Sequence, residues 1–203
     1  MKLLIATGNA GKVKEFREML GAERFEWADL SQHSNAVEVE ETGRTFRANA
    51  CLKAAGYAKQ FKVWALADDS GLEVDALEQK PGVYSARWAE MNGAGKGDAD
   101  NNSLLIQQLK DVPDEKRGAR FVCVLALADA EGRIVLTARD TVEGRIIHGQ
   151  RGKNGFGYDP LFLIDSLGKT TAELTPGEKH AISHRGKALR RMKELMGRMG
   201  LVG

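Results

Sequence analysis

Leu3 to Ala6 form a short apolar run that breaks at once into Thr7-Gly8-Asn9-Ala10-Gly11. An apolar run of this length ending in a glycine turn reads as a buried strand followed by a loop. Val13, Phe16 and Leu20 then recur at spacings of three and four, so a helix follows the loop. Strand, glycine loop and helix in this order open an α/β chain, and the remaining elements must build on that unit.

The rest of the chain extends the pattern. Phe25 to Ala28 reads as a second strand, and Phe46, Ala50, Ala54, Tyr57 and Phe61 share the face of a helix over 44–60. Val63 to Ala67 is another short apolar run, and it ends on Asp68-Asp69-Ser70-Gly71. Met91 to Asp100 is rich in Gly and Asn and reads as a mobile surface loop, with a helix over 99–109 behind it. Strands are expected at Arg120 to Ala128 and Arg133 to Arg139, joined by the turn Asp129-Ala130-Glu131-Gly132, with a further strand at Thr141 to His148. Leu189, Met192, Leu195, Met196 and Met199 give the tail from Ser183 helical spacing. An α/β fold with a mixed sheet fits this order, and two lobes with a cleft between them would suit a ligand. With no linker or repeat in sight, the 203 residues read as one domain over 1–203.

Charge narrows the function. Thirty basic residues against 28 acidic ones leave +2, where a dedicated nucleic-acid binder carries a strongly basic face. Cys51 and Cys123 match no metal or redox spacing and read as free core thiols. The first residues are too short a run for a signal peptide, and no apolar stretch approaches the roughly 18 residues of a membrane span. A cytoplasmic protein with no membrane partner is the expectation.

Several segments can carry chemistry. In Thr7-Gly8-Asn9-Ala10-Gly11-Lys12 a glycine loop opens a helix, offering backbone N–H groups, a helix dipole and a lysine to phosphate. It is not a P-loop, since two residues instead of four separate the glycines and Val13 follows the lysine. Read as an ordinary tight turn, the same residues need no ligand. Asp68 and Asp69 at a strand end are costly unless solvated or paired with a cation, and hard oxygen ligands suit Mg²⁺. A solvated Asp-Asp-Ser-Gly turn is the plain alternative. Glu38, Glu40 and Glu41 precede the helix near Arg44, where acidic capping explains them equally well. Asn49 and Lys53, four apart, share a helix face that is either a solvated edge or a second phosphate contact.

Further on, glycines flank Phe156 in Gly155-Phe156-Gly157-Tyr158-Asp159-Pro160, which would let a nucleobase stack on the ring while Asp159 takes hydrogen bonds from its edge. A hydrophobic loop anchor is the simpler reading. Ser183 is a candidate N-cap that puts His184 and Arg185 in a first helical turn, where cations oppose the helix dipole. Such a local conflict is expected at a functional site.

These segments, with Glu41-Thr42-Gly43, Phe46, Asn49-Ala50, Leu72, the stretch from Pro81 to Arg87 and the Ser183-to-Leu189 motif, occur together in one order. In that order the chain resembles the inosine triphosphate pyrophosphatase family, also called dITP/XTP pyrophosphatases, and its bacterial members above all. The resemblance covers nearly the whole chain. It implies an elongated two-lobed α/β fold with a mixed central sheet, a homodimer, and Mg²⁺-dependent cleavage of inosine- and xanthosine-type triphosphates (ITP, dITP, XTP) between the α- and β-phosphates. By the same resemblance Thr7, Gly8, Asn9, Ala10, Gly11, Lys12 and Lys53 hold the triphosphate. Glu41 and Asp69 bind metal, with Glu40 the adjacent alternative; Asp69 is the base for water, and Ser70 touches substrate. Phe156, Gly157, Tyr158, Asp159, Lys179, His184 and Arg185 form the purine pocket. Two other classes compete: a phosphotransferase using the same phosphate loop, which the missing P-loop pattern disfavours, and a non-enzymatic nucleotide-binding protein.

Overall fold

The computed structural model describes residues 2–20, 26–33 and 35–201; Phe25 and the side chains of Ala10 and Leu20 lie outside the described residues. In chain order the strands are β1 (Lys2–Ile5), β2 (Glu26–Asp29), β3 (Trp64–Val74), β4 (Lys80–Pro81), β5 (Gly118–Ala128), β6 (Ile134–Ile146), β7 (Phe162–Ile164) and β8 (Lys169–Thr170). The helices are α1 (Ala10–Leu20), α2 (Phe46–Phe61), α3 (Trp88–Met91), α4 (Asp98–Gln108), α5 (Pro176–Ile182) and α6 (His184–Arg198). Among the described residues the strands form one mixed sheet in the order β2-β1-β3-β5-β6-β7-β8, with β4 paired to β3. β1 lies parallel to both β2 and β3, whereas β3–β4, β6–β7 and β7–β8 are antiparallel.

The chain divides into two compact units, one of Met1–Ser70, Cys123–Asp140 and Arg185–Gly203, the other of Gly71–Val122 and Thr141–His184. The first holds a core of Leu3, Ile5, Phe16, Leu66, Leu125 and Met192. Phe16 comes from the apolar stripe of α1, and Leu189, Met192 and Met196 from that of α6. Each fully buried side chain of this size contributes about 1.5–3 kcal/mol relative to exposure. The expected stripe on α6 ends one turn early, since Met199 is exposed. The second unit has its own core, built around Leu72, Leu105, Phe121, Ile146, Tyr158 and Phe162.

Three elements differ from the sequence reading. β3 does not end before Asp68 but runs through the acid pair to Val74, because both carboxylates are buried among cations. The two strands expected at 133–139 and 141–148 are one strand, β6, with no Gly or Pro at Asp140 to break it. α5 went unread: Thr175 caps it through a reciprocal capping box with Glu178, and Pro176 starts it, a signal present in the sequence. Ser183, the candidate N-cap of α6, closes α5, its N–H donating to the Lys179 carbonyl at 2.8 Å.

Candidate active site

The glycine loop joins β1 to α1. Asn9 caps the helix, its Oδ1 accepting from the Lys12 N–H at 3.1 Å, while Thr7 Oγ1 accepts from the Asn9 N–H at 3.2 Å. A Cβ on Gly8 would meet nothing within 4 Å, so the loop leaves open space at the helix start where an anion is favoured.

Lys12 reaches from this helix to the acid pair. Its Nζ is 2.9 Å from Asp68 Oδ2, and Arg185 Nη2 is 3.4 Å from the same oxygen. Ser70 Oγ donates to Asp68 at 3.1 Å and accepts from Arg185 Nη2 at 2.9 Å. Arg185 also donates through Nη1 to Glu15 at 2.5 Å. Burial alone would raise the Asp68 carboxyl, but Lys12, Arg185 and Lys53 outweigh it and hold it far below the usual carboxylate range.

Asp69 meets a different partner, as expected of adjacent residues on a strand. Lys53 Nζ stands 3.5 Å from Asp69 Oδ1 and 3.0 Å from Glu41 Oε1. Burial pushes Asp69 up to about 6; Lys53 opposes that rise and the nearby Glu41 adds to it. Burial would lower Lys53, but Asp68, Asp69 and Glu41 together raise it. Glu40 is exposed while Glu41 is half-buried against Lys53, which favours Glu41 of the two adjacent glutamates.

These acids fit a hard divalent cation. Asp69 Oδ2 is buried without a hydrogen-bond partner in the structure, and Glu41 lies on the same lysine. Among the described residues no group of three or more His, Cys, Asp or Glu is assembled for a metal. Mg²⁺ does not need one, since it is commonly held by one or two carboxylates, waters and the substrate's own phosphates.

The second unit carries the other expected residues. Gly155 has φ +79°, and a Cβ there would collide with the Asp159 carboxylate, so glycine is required. Asp159 is buried and already engaged: Oδ2 accepts from the Phe156 N–H at 2.8 Å and from Lys179 Nζ at 2.6 Å, and Oδ1 from Thr171 Oγ1 at 2.8 Å. Lys179 Nζ lies 4.9 Å from the centroid of the half-buried Phe156 ring, a cation–π distance. Tyr158 is a core residue whose hydroxyl donates to the Ser85 carbonyl at 2.9 Å, and burial pushes its phenol upward. His184 is buried and stacks on Phe121 at 4.9 Å.

Thus the structure brings Lys12, Lys53, Glu41, Asp68, Asp69, Ser70 and Arg185 into one unit, and Phe156, Tyr158, Asp159, Lys179 and His184 into the other. Arg185, expected beside the base-stacking loop, stands in the acid group of the first unit. Glu15 was missed, though it follows Lys12 by three residues and so shares its helix face. Thr171 carried no sequence signal. Cys123 is buried, and burial with the Asp68 charge pushes its thiol up to about 12, so it is no activated nucleophile.

A model of the Ham1 family matches residues 3–195 of the chain. The chain belongs to the Ham1 family. Over 193 residues, 95% of this chain and 96% of the relative, it is 55% identical to a dITP/XTP pyrophosphatase of Exiguobacterium sibiricum. It is also similar to a solved HAM1 protein from Coxiella burnetii, with a TM-score of 0.87 and 40% identity over 98% of this chain and 99% of that one. The Ham1 protein of Staphylococcus aureus gives 0.86 and 37% over 98% and 100%. The resemblance read from the motifs, and the α/β fold with a mixed sheet, are both borne out by these matches.

Proposed function

We propose that this Ham1 family member hydrolyses deaminated purine nucleoside triphosphates, ITP, dITP and XTP, to monophosphate and pyrophosphate in a Mg²⁺-dependent reaction. The observation that carries this reading is the buried Asp69 carboxylate, with an unpartnered oxygen, sharing Lys53 with Glu41. Relatives that carry the name dITP/XTP pyrophosphatase supply the substrate class.

Glu41 and Asp69 would hold the metal, which when bound neutralises phosphate oxygens and orients water. Asp69 is also the base: a carboxyl raised to about 6 takes a proton more readily than an ordinary aspartate, and still ionises at neutral pH. Lys12 and Lys53 exchange their carboxylate partners for phosphate oxygens and stabilise leaving pyrophosphate. The loop Thr7–Gly11 turns its backbone toward the phosphates, and Ser70 touches substrate beside Asp69.

On the base side, Phe156 stacks on the purine, and Gly157, Tyr158, Asp159 and His184 complete the pocket. Hypoxanthine and xanthine carry a carbonyl at C6 and adenine an amino group, so a cationic donor separates them. Lys179, with three N–H groups, is the first such donor, and Arg185 is the second. Asp159 acts by holding Lys179 and the Phe156 N–H in place.

We read the protein as a cytoplasmic homodimer. Tyr84 and Met91 are exposed and supply apolar surface for that contact, whereas Trp88 is buried and donates to Gln108 Oε1 at 2.9 Å. No helix among the described residues is long and apolar enough to cross a membrane. The test is a panel of nucleoside triphosphates with Mg²⁺ or EDTA, following monophosphate and pyrophosphate. Release of inorganic phosphate in place of pyrophosphate, or a phosphorylated acceptor, would overturn the reading.

A further inference from the structure

The segment Gly97-Asp98-Ala99-Asp100-Asn101-Asn102 lies outside every motif read above for chemistry, yet its side chains hold backbone in two distant places. Asn101 Oδ1 accepts from the Ala89 N–H at 2.8 Å, and its Nδ2 donates to the Ala86 carbonyl at 3.2 Å. Asp98 and Asn102, four apart and therefore on one face of α4, both go to Gly157. Asp98 Oδ2 accepts from the Gly157 N–H at 2.7 Å, and Asn102 Nδ2 donates to the Gly157 carbonyl at 2.9 Å. Both polar groups of one peptide residue are thus taken by two side chains from one helix.

Gly157 needs such a hold. It follows Phe156, has φ +62°, and has open space where a Cβ would stand, so while Asp159 and Tyr158 hold the residues on either side, no side chain of its own pins its backbone. Helix α4, in contrast, is anchored at its far end. The buried Arg117 donates to the Leu109 carbonyl at 2.6 Å and to the Ile146 carbonyl at 2.7 Å, holding the helix C-terminus to the end of β6. Asn102 also carries a cost: it is buried, and its Oδ1 has no hydrogen-bond partner in the structure. The amide is oriented by the Gly157 carbonyl, which requires the NH₂ on its side and leaves the oxygen unsatisfied. An apolar side chain of similar shape would avoid that penalty. Keeping asparagine there makes sense if the bond to Gly157 is what matters.

We propose that Asp98 and Asn102 are positioning residues that clamp Gly157 and so fix the Phe156 ring for the purine. This rests on the reading of Phe156 as the stacking residue. Asp98 supplies a charge-assisted bond to the N–H, and Asn102 holds the carbonyl, so the two peptide planes that flank Gly157 are fixed against rotation about its Cα. The loop before α4 then has a role: Gly97, at φ +92°, delivers the chain to Asp98 at the helix start.

The experiment compares Asp98→Ala, Asp98→Asn, Asn102→Leu and Phe156→Ala for ITP and ATP hydrolysis, with thermal melts and amide exchange at Gly157. Loss of one charge-assisted bond should raise KM for ITP about tenfold in Asp98→Ala with kcat within about twofold, the signature of lost uniform binding. Asp98→Asn keeps an acceptor and should restore KM. Asn102→Leu should melt no lower than wild type while its KM for ITP rises with kcat little changed, an outcome that a purely structural asparagine does not give. Gly157 exchange should quicken in Asp98→Ala. If Phe156→Ala raises KM for ITP but Asp98→Ala and Asn102→Leu leave it at the wild-type value, the clamp is wrong and the stacking reading stands. If Phe156→Ala itself leaves KM for ITP unchanged, the stacking reading falls and the clamp with it.

Discussion

Replacing Asp69 by asparagine should stabilise the metal-free protein while removing its activity. The carboxyl is 6% exposed and is raised from 3.8 to about 6, chiefly by burial. A rise of about two units, at about 1.36 kcal/mol per unit, makes the ionised form about 3 kcal/mol worse in the folded than in the unfolded chain. For a carboxyl raised on folding, the unfolded chain ionises first. Stability is therefore full below about pH 4, falls as pH rises through about 6, and stays lower above that. Asparagine copies the protonated form in shape and charge and escapes this loss. In EDTA at pH 8, Asp69→Asn should melt higher than wild type by up to about 10 °C, at about 2–4 °C per kcal/mol for a chain of this size. At pH 4 the two should coincide, and Mg²⁺ should narrow the gap at pH 8 by stabilising the wild type. Calorimetry at both pH values, with pyrophosphate release beside it, is the assay. A mutant that melts no higher than wild type at pH 8 in EDTA refutes the electrostatic argument, and near-normal turnover at saturating Mg²⁺ removes Asp69 from the mechanism.

Arg185→Ala leaves the buried carboxylate of Asp68 and that of Glu15 short of a cation, so it should cost about 3–5 kcal/mol; a melting point within 2 °C of wild type, with roughly 2–4 °C expected per kcal/mol, would contradict this. Asp68→Asn, which a solvated turn would tolerate, should for the same reason lower kcat/KM by releasing Lys12 and Arg185 from their shared partner. If Lys179 reads the C6 carbonyl, wild type should favour ITP over ATP by up to roughly 10⁴-fold, and Lys179→Met should cut that ratio at least about tenfold. An unchanged ratio in Lys179→Met moves the discrimination to Arg185 or elsewhere.

Elements with a strong period were legible because burial on one face writes itself into the spacing. The glycine loop, the Phe46-to-Phe61 stripe and the tail around Met192 all fall within two or three residues of their observed positions. What misled was charge. Asp68-Asp69 looks like a strand end when solvation is assumed, but Lys12, Arg185 and Lys53 arrive from 56, 117 and 16 residues away to keep both acids inside β3. No local pattern records a partner at that distance. The same holds for the partners of Arg185: Glu15 and Asp68 lie 170 and 117 residues away, where no local pattern around the first turn of α6 records them. Tyr158 and Asp159 sit in a glycine-rich stretch that reads as an open loop. Their side chains instead hold that loop from within, through Ser85 and Thr171.

Lys12, Lys53 and Arg185 are set against Glu15, Glu41, Asp68 and Asp69, three cations to four carboxylates. Fully ionised, this group is net negative and repels a triphosphate, since its lysines are already neutralised by neighbours within 3.5 Å. Two changes remove that negative charge. A divalent cation on Glu41 and Asp69 turns it positive, and protonation of Asp69, the carboxyl raised to about 6, brings it to zero. A non-hydrolysable ITP analogue should therefore bind at least about tenfold more weakly in EDTA than in Mg²⁺ at pH 8. In EDTA its affinity should rise as pH falls toward 6, and Asp69→Asn should bind it without metal better than wild type does at pH 8. Titration calorimetry reads all three. Equal Kd values with and without Mg²⁺ at pH 8 would mean that the lysines give up their carboxylates without help, and the balance of charge would not govern binding.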